Sequence, residues 1–514
     1  MGYKTRRNHS LAGEDFMSEK ITAKRVLNAT KWSTFAEIMA KLATPIVNMV
    51  LARLLTPEAF GVVAAITIIT SFADIFTDAG FQRFIIQHEY ESDEELDKGT
   101  NVAFWSNLTL ALTIYCVIFF FKKPLAEFVG CKDEYMGIAA AGLSVIFTTF
   151  SSTATARYKR AMNFKPLFYV RVTGAIMPFF VTIPLALILK NYWALVWGTL
   201  AQQFATSLLL TIISKWKPKF YFSFARLKKM LPFSLWNLLE TLSIWFAGQA
   251  GIFIVSNKLD SYYLGLYKTS MSTVNSYMSL ITASITSVLF SALSRCAGEE
   301  EKFRNTVFSF IKGVSLLVIP MGAGMFLYRD LVVRILLGSQ WAEAGFFVGL
   351  WAVFSAITIT FSNIASEVYR STGKPIISFV LQLGYIAIYV PTILWGVGQD
   401  YRTLCIVSCF VRLCPVIADM LMLTFRYKIS AVKMIGSAGV SIISAGVMSG
   451  VALLLQLVSG KVWWQILSIV ICVVVYFGVA LAFRPEREFL KGLIKRQKGE
   501  KDENADGVHT DVQP

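Results

Sequence analysis

Apolar residues run in blocks of twenty or so between residues 30 and 483, separated by short polar breaks. A helix needs about twenty such residues to cross a hydrocarbon core of about 30 Å. The pattern predicts about fourteen spans, at 30–53, 59–80, 101–121, 135–154, 167–189, 193–213, 233–256, 262–293, 307–328, 344–367, 376–397, 402–425, 434–457 and 463–483. The eighth is too long for one straight crossing, so its end is expected to protrude. Between the first two, Arg53 to Glu58 leaves almost no loop. The fold class expected is an all-α membrane protein.

Composition supports that reading. Of 514 residues 55% are apolar and 16% charged, against about 25% charged in soluble domains. The net charge of +16 would suit nucleic acid, but its distribution points elsewhere. With the amino end inside, 33 of the 49 Lys and Arg fall in cytoplasmic segments and 10 in outer loops. Basic residues collect on the cytoplasmic side of membrane proteins, so both termini are placed inside and no nucleic-acid partner is expected. Residues 1–29 are polar and read as a cytoplasmic segment without a cleavable signal; Met17 opens a second, more typical start, Met-Ser-Glu-Lys. Five of seven cysteines lie inside spans, and Cys131 and Cys296 lie in loops assigned to opposite sides, so no disulfide is expected. The three histidines are far apart, and neither metal nor cofactor is expected.

Charges within the spans are the candidate functional residues, because a charge in lipid costs about 2.5–3.5 kcal/mol on insertion scales and usually faces a cavity or a partner. Lys41 is near the middle of the first span, with Glu37 one turn earlier on the same face. Arg412 is near the middle of the twelfth, with Asp419 two turns on. Glu240 lies two turns into the seventh, and Asp74 and Asp78 share a face of the second. Arg171 and Lys312 sit within about a turn of the cytoplasmic edge and Lys268 near the outer edge, where long side chains reach the headgroups.

Missing motifs exclude two classes. A phosphate-cradling Gly-x4-Gly-Lys-Ser/Thr loop is absent, since Gly373-Lys374 is followed by Pro375, so no ATP-driven pump is expected. A membrane glycosyltransferase or polymerase is disfavoured by outer loops of at most about fourteen residues, by the lack of Asp-x-Asp and by the lack of a nucleophile–base pair. Energy must come from an ion gradient or from the substrate's own gradient. Two cytoplasmic segments mix bases with aromatic or aliphatic residues: Lys215 to Met230, and Arg484 to Lys501. Both serve as topology signals or lie on an anionic leaflet. Asp502 to Pro514 has a disordered composition.

Several segments resemble the polysaccharide transport branch of the multidrug/oligosaccharidyl-lipid/polysaccharide flippase superfamily. They are Leu55 to Gly61 (Leu-Thr-Pro-Glu-Ala-Phe-Gly), Asp78 to Phe81 with Ile86-Gln87, Arg157 to Lys165, Leu264 to Tyr267, Phe290 to Arg295, Gly338 to Trp341 and Thr372 to Pro375. The match covers about 30–425, and the last two helices follow the family's count.

The resemblance implies two six-helix bundles, 30–213 and 233–425, around a central cavity that opens alternately to either side. A basic linker at 214–232 joins them. Two further helices follow at 426–483, then a cytoplasmic tail at 484–514. It also implies movement of undecaprenyl-diphosphate-linked oligosaccharide outward across a bacterial inner membrane, for capsule, O-antigen or exopolysaccharide. Expected partners are that lipid-linked oligosaccharide, membrane lipids, H+ or Na+, and a polysaccharide polymerase with glycosyltransferases. An ion-coupled small-molecule or drug antiporter of the same fold is the alternative. One departure stands out: many relatives carry an Arg and an Asp in the seventh helix where Gly248 and Gly251 align here.

On this reading Lys41 and Arg412, the only basic residues near the midplane, bind the diphosphate and face each other across the cavity. Glu37, Asp74, Asp78, Glu240 and Asp419 are the ion-coupling candidates.

Overall fold

The computed structural model describes residues 39–296 and 299–488, with 32, 35 and 37 before them. The amino-terminal segment 1–29 and the tail beyond 488 lie outside the described residues, as do the side chains of Asp78 and Glu240. Every regular element among the described residues is helical. Eleven helices are long and apolar enough to cross a membrane, and the chain is a multi-pass membrane protein. Of the fourteen expected spans, 30–53, 233–256 and 262–293 are not among the eleven. The first begins outside the described residues. The other two fall within helices of 35 residues each.

The long helices, in chain order, are α1 (39–54), α2 (Pro57–Gln87), α3 (Asp93–Phe120), α4 (Leu143–Arg160), α5 (Lys165–Met177, continued by Pro178–Thr182 and Ile183–Leu189), α6 (Trp193–Ile213) and α7 (Phe224–Lys258). They continue with α8 (Ser261–Arg295), α9 (Glu300–Leu327), α10 (Ala344–Thr358, continued by Ile359–Asn363 and Ile364–Ser371), α11 (Pro375–Val397), α12 (Tyr401–Phe410 and Leu413–Tyr427), α13 (Ala431–Val458) and α14 (Val462–Ala482). Local chemistry sets several ends. Pro57 opens α2, where a missing N–H costs nothing. Ser92 caps α3 by accepting from the Glu95 amide, and Glu95 accepts in return from the Glu91 amide.

Two compact units form. The first holds the described residues of Met1–Leu280 with Leu336–Trp341 and Tyr389–Leu404; the second holds those of Ile281–Ile335, Ala342–Ile388 and Cys405–Pro514. In the first, α7 packs along α2, and α4 packs on both α2 and α6. Arg157 bonds Asp97 at 2.5 Å, Arg226 bonds Glu95 at 3.0 Å, and Arg160 donates to the carbonyls of Ile85, Ile86 and His88. Below them lies a cluster of Phe81, Phe84, Ile85, Val102 and Ala103. The Lys215–Met230 segment is fastened here as well: the Trp105 indole donates to the Lys219 carbonyl, and Phe220 stacks on that ring yet stays exposed.

Three of the family-like segments meet in the first unit. Gly61 and Gly265 bring the first turns of α2 and α8 into backbone contact: a Cβ on Gly61 would stand 1.8 Å from the Ser261 carbonyl oxygen, and one on Gly265 1.9 Å from that of Pro57. Gln340 donates to the carbonyls of Ala52 and Leu55 at 2.6 and 2.7 Å, and Trp341 donates to Ala52 at 2.7 Å. Phe60 meets the Trp341 ring edge-on.

In the second unit α9 packs against α10 and α13, and α13 against α14. Tyr328, Met448, Cys472 and Tyr476 form the core of that group. Leu453, Leu454, Leu457 and Val474 point outward and exposed, as lipid-facing side chains do. Lys312, expected to reach the headgroups, instead pairs with the buried Glu486 at 3.2 Å. An opposite charge that folds back from the end of α14 offers it a partner without the detour to water.

Candidate functional site

The first unit has an open cavity of about 740 Å³ between α1, α5, α6 and α8, lined by polar side chains set among apolar ones such as Val47, Leu51 and Val170. Its walls reflect helical spacing. From α1 and the helical residue just before it come Glu37, Lys41, Thr44 and Asn48; from α5 come Arg171, Gly174, Pro178 and Thr182; from α6 come Leu195, Thr199, Gln202 and Thr206. Ser276 and Ser279 complete it from α8. Each set recurs at three- or four-residue steps, so each helix turns one face to the cavity and places its polar residues there among apolar ones.

Two glycines bring the walls together. A Cβ on Gly174 would stand 3.2 Å from the Thr206 methyl, and one on Gly198 would collide with Thr182. Thr182 ends the π-helical turn Pro178–Thr182. A π-bulge inserts one residue and so rotates the helix about its axis at that point, which here carries Thr182 onto the chamber side.

Within the chamber Lys41 Nζ lies 3.0 Å from Glu37 Oε1, with side chains 28% and 52% exposed. Arg171, expected to reach the headgroups, lines the same chamber instead. Its place on α5 follows from the face it shares with Gly174 and Pro178, a periodicity present in the sequence but masked by the apolar residues between. Among the described residues the chamber therefore holds two cations, one carboxylate, two amides and several hydroxyls, and no aromatic side chain lines it. Such a surface can hold an anionic group bearing many hydroxyls.

The remaining candidates are placed as follows. Asp74 accepts from the Thr148 hydroxyl at 3.3 Å. Of the two glycines expected to depart from relatives, a Cβ on Gly251 would meet the Tyr389 hydroxyl at 1.9 Å, whereas Gly248 has open space.

Arg412 and Asp419 lie in the second unit. The expected helix 402–425 is broken at Val411 and Arg412, so Arg412 sits at the start of its second half. Its guanidinium lies 4.0 Å over the Trp351 ring and donates to Ser355 at 2.9 Å. Asp419 is buried and accepts from Tyr369 at 3.0 Å and from Ser362. Ser362 belongs to a second π-helical turn, Ile359–Asn363. Glu367, buried one turn beyond it and paired with Arg370 at 3.1 Å, was not singled out from the sequence. Its proximity to Arg370 at i,i+3 was the available signal.

Comparison with known proteins gives a consistent set. Residues 50–345 match the profile of a family described as polysaccharide biosynthesis protein. The chain is 24% identical over 345 residues to the succinoglycan biosynthesis transport protein ExoT of Rhizobium meliloti (strain 1021), covering 66% of this chain and 68% of that one. It is 20% identical over 382 residues to the lipopolysaccharide biosynthesis protein WzxC of Escherichia coli (strain K12), covering 73% and 75%. Among solved structures, its fold is similar to that of the lipid II flippase MurJ in an inward closed conformation, with a TM-score of 0.72 at 14% identity, covering 88% of this chain and 98% of that one.

Proposed function

Because the chain belongs to the polysaccharide biosynthesis protein family, we propose that it moves undecaprenyl-diphosphate-linked oligosaccharide from the cytoplasmic to the outer leaflet of a bacterial inner membrane. It is a membrane transporter, not an enzyme. The observation that carries the substrate assignment is the chamber of the first unit, an open space among apolar helices that bears two cations, amides and hydroxyls.

The chemistry is one of solvation. A diphosphate bears two or so negative charges, and taking it unpaired through a water-poor region costs far more than a protein supplies. Lys41 and Arg171 offset that cost, and Asn48, Gln202 and the threonines replace water at the sugar hydroxyls. Arg412 is the second station of the diphosphate, its guanidinium oriented by Trp351 and Ser355. In this reading Asp419, Asp74 and Glu37 couple the cycle to H+ or Na+, and Asp78 and Glu240 are candidates from sequence alone. The bases of the cytoplasmic segments keep both termini inside, and a polymerase and glycosyltransferases act before and after the transfer.

The test uses purified chain in liposomes loaded on one leaflet with a fluorescent undecaprenyl-diphosphate oligosaccharide. Transfer that requires the protein supports the reading. A rate equal to that of empty liposomes, or equal transport of a cationic dye in its place, rejects it. Sidedness has its own test: reporters fused after Lys132 and Lys461 should report outside, and those after Lys165, Lys229 and Arg496 inside.

A further inference from the structure

The chamber contains its own anion. Glu37 is the one carboxylate among its described lining residues, and its oxygen is 3.0 Å from the ammonium of Lys41. The two are one turn apart on α1, and the carboxylate is the more exposed of the pair. Pairs with that much access to water are weak and exchange partners readily. Arg171 lines the same space from α5.

Resting on the flippase reading above, we infer that Glu37 stands in for a substrate phosphate. It holds Lys41 while the chamber is empty, and an entering diphosphate displaces it, one phosphate taking Lys41 and the other Arg171. The charge balance favours this division. With Glu37 in place the empty chamber has two cations and one anion, so part of the repulsion between the two cations is offset. With a diphosphate in place, two cations meet about two negative charges, and the displaced Glu37 turns its charge to the water it already reaches. The shapes fit as well: an ammonium is a point donor that can leave one oxygen for another, whereas the guanidinium fork meets two oxygens of one phosphate. The same carboxylate then aids release, because it is tethered one turn from Lys41 and competes for it at high local concentration.

The experiment measures binding of farnesyl diphosphate and farnesyl monophosphate to the purified full-length chain in detergent. Removing the competitor with Glu37→Gln should tighten the diphosphate about 3–10-fold, and Lys41→Gln should weaken it by about tenfold or more. A pair that merely staples α1 predicts otherwise, since both substitutions break the same bond and should act in the same direction. Arg171→Ala should weaken the diphosphate about tenfold and the monophosphate less than about twofold, with Arg171→Lys between. Weaker or unchanged diphosphate binding by Glu37→Gln overturns the inference, and so does an equal effect of Arg171→Ala on both lipids. If Glu37→Gln does not accumulate folded, Glu37→Asp withdraws the charge by one methylene and should give a smaller tightening; no tightening there is equally decisive. Failure of the flippase reading looks different: the unaltered chain then binds neither lipid and moves no lipid-linked oligosaccharide.

Discussion

The chamber of the first unit and the interior of the second handle charge in opposite ways. In the first, Lys41, Glu37 and Arg171 line an open chamber, and the one ion pair described among them is half in water. In the second, Arg412 lies on Trp351 and bonds Ser355, Asp419 is gripped by Tyr369 and Ser362, and Lys312 is closed off with Glu486. A charge that must meet a passing ligand needs a partner it can leave. A charge that holds helices together needs partners it cannot leave. The contrast separates charges whose partner can leave from charges whose partners are fixed; Arg412, the proposed second station, would meet cargo while Trp351 and Ser355 keep it oriented.

Substitutions can break that comparison. The largest effect on transport is expected at Lys41: Lys41→Ala should cut transfer in liposomes by about 10–100-fold, the worth of one charge-assisted bond, with no fall in melting temperature. If its melting temperature falls as far as its transport, the first unit is no different from the second. Asp419→Ala should show the converse, with a loss of about 1–3 kcal/mol for stranding the hydroxyls of Tyr369 and Ser362, read as reduced yield and thermal stability in detergent. Arg412→Lys keeps the charge but gives up the flat contact with Trp351, so stability should fall by about 0.5–2 kcal/mol and transport only partly. Arg412→Ala with unimpaired glycan export would remove Arg412 from the proposed route.

The smallest effect is a control in a loop. Lys132 beside Glu127 holds that carboxyl below the usual carboxylate range, through its hydrogen bond and then its charge. A lowered carboxyl stabilises the fold above its unfolded pKa and loses that effect as pH falls through its folded one. Glu127 is fully exposed, however, and its pair is screened by water. Glu127→Gln should therefore leave melting curves unchanged at neutral pH and narrow any difference further in acid.

The spans were legible because hydropathy reports what lipid requires. Trp193–Ile213 begins and ends where the apolar run does. Hydropathy does not report where a helix stops once it leaves the lipid. α2 runs on to Gln87 because Phe81, Phe84 and Ile85 pack into a core beyond the apolar run, and α3 starts at Asp93, eight residues before the predicted span, because Ser92 caps it there. Rotation about the helix axis was the harder part. Arg171 and Lys312 are equally basic and equally near a span end, and only packing sets one into a chamber and the other against Glu486. The π-turns at Pro178–Thr182 and Ile359–Asn363 and the break before Leu413 each shift that rotation, and no composition rule marks them. The i,i+4 relation of Glu37 and Lys41 was readable because it needs only one helix.

The meeting of Gly61 with Gly265 bears on permeability. A barrier built of side chains flickers, since rotamers flip in nanoseconds or less and a small ion can slip through the gap. Here peptide backbone touches peptide backbone, with the Gln340 and Trp341 bonds beside it. Parting that joint requires moving whole helices, which takes microseconds or longer. A joint of this kind therefore opens only with a collective movement of helices, and not with the flicker of a single side chain.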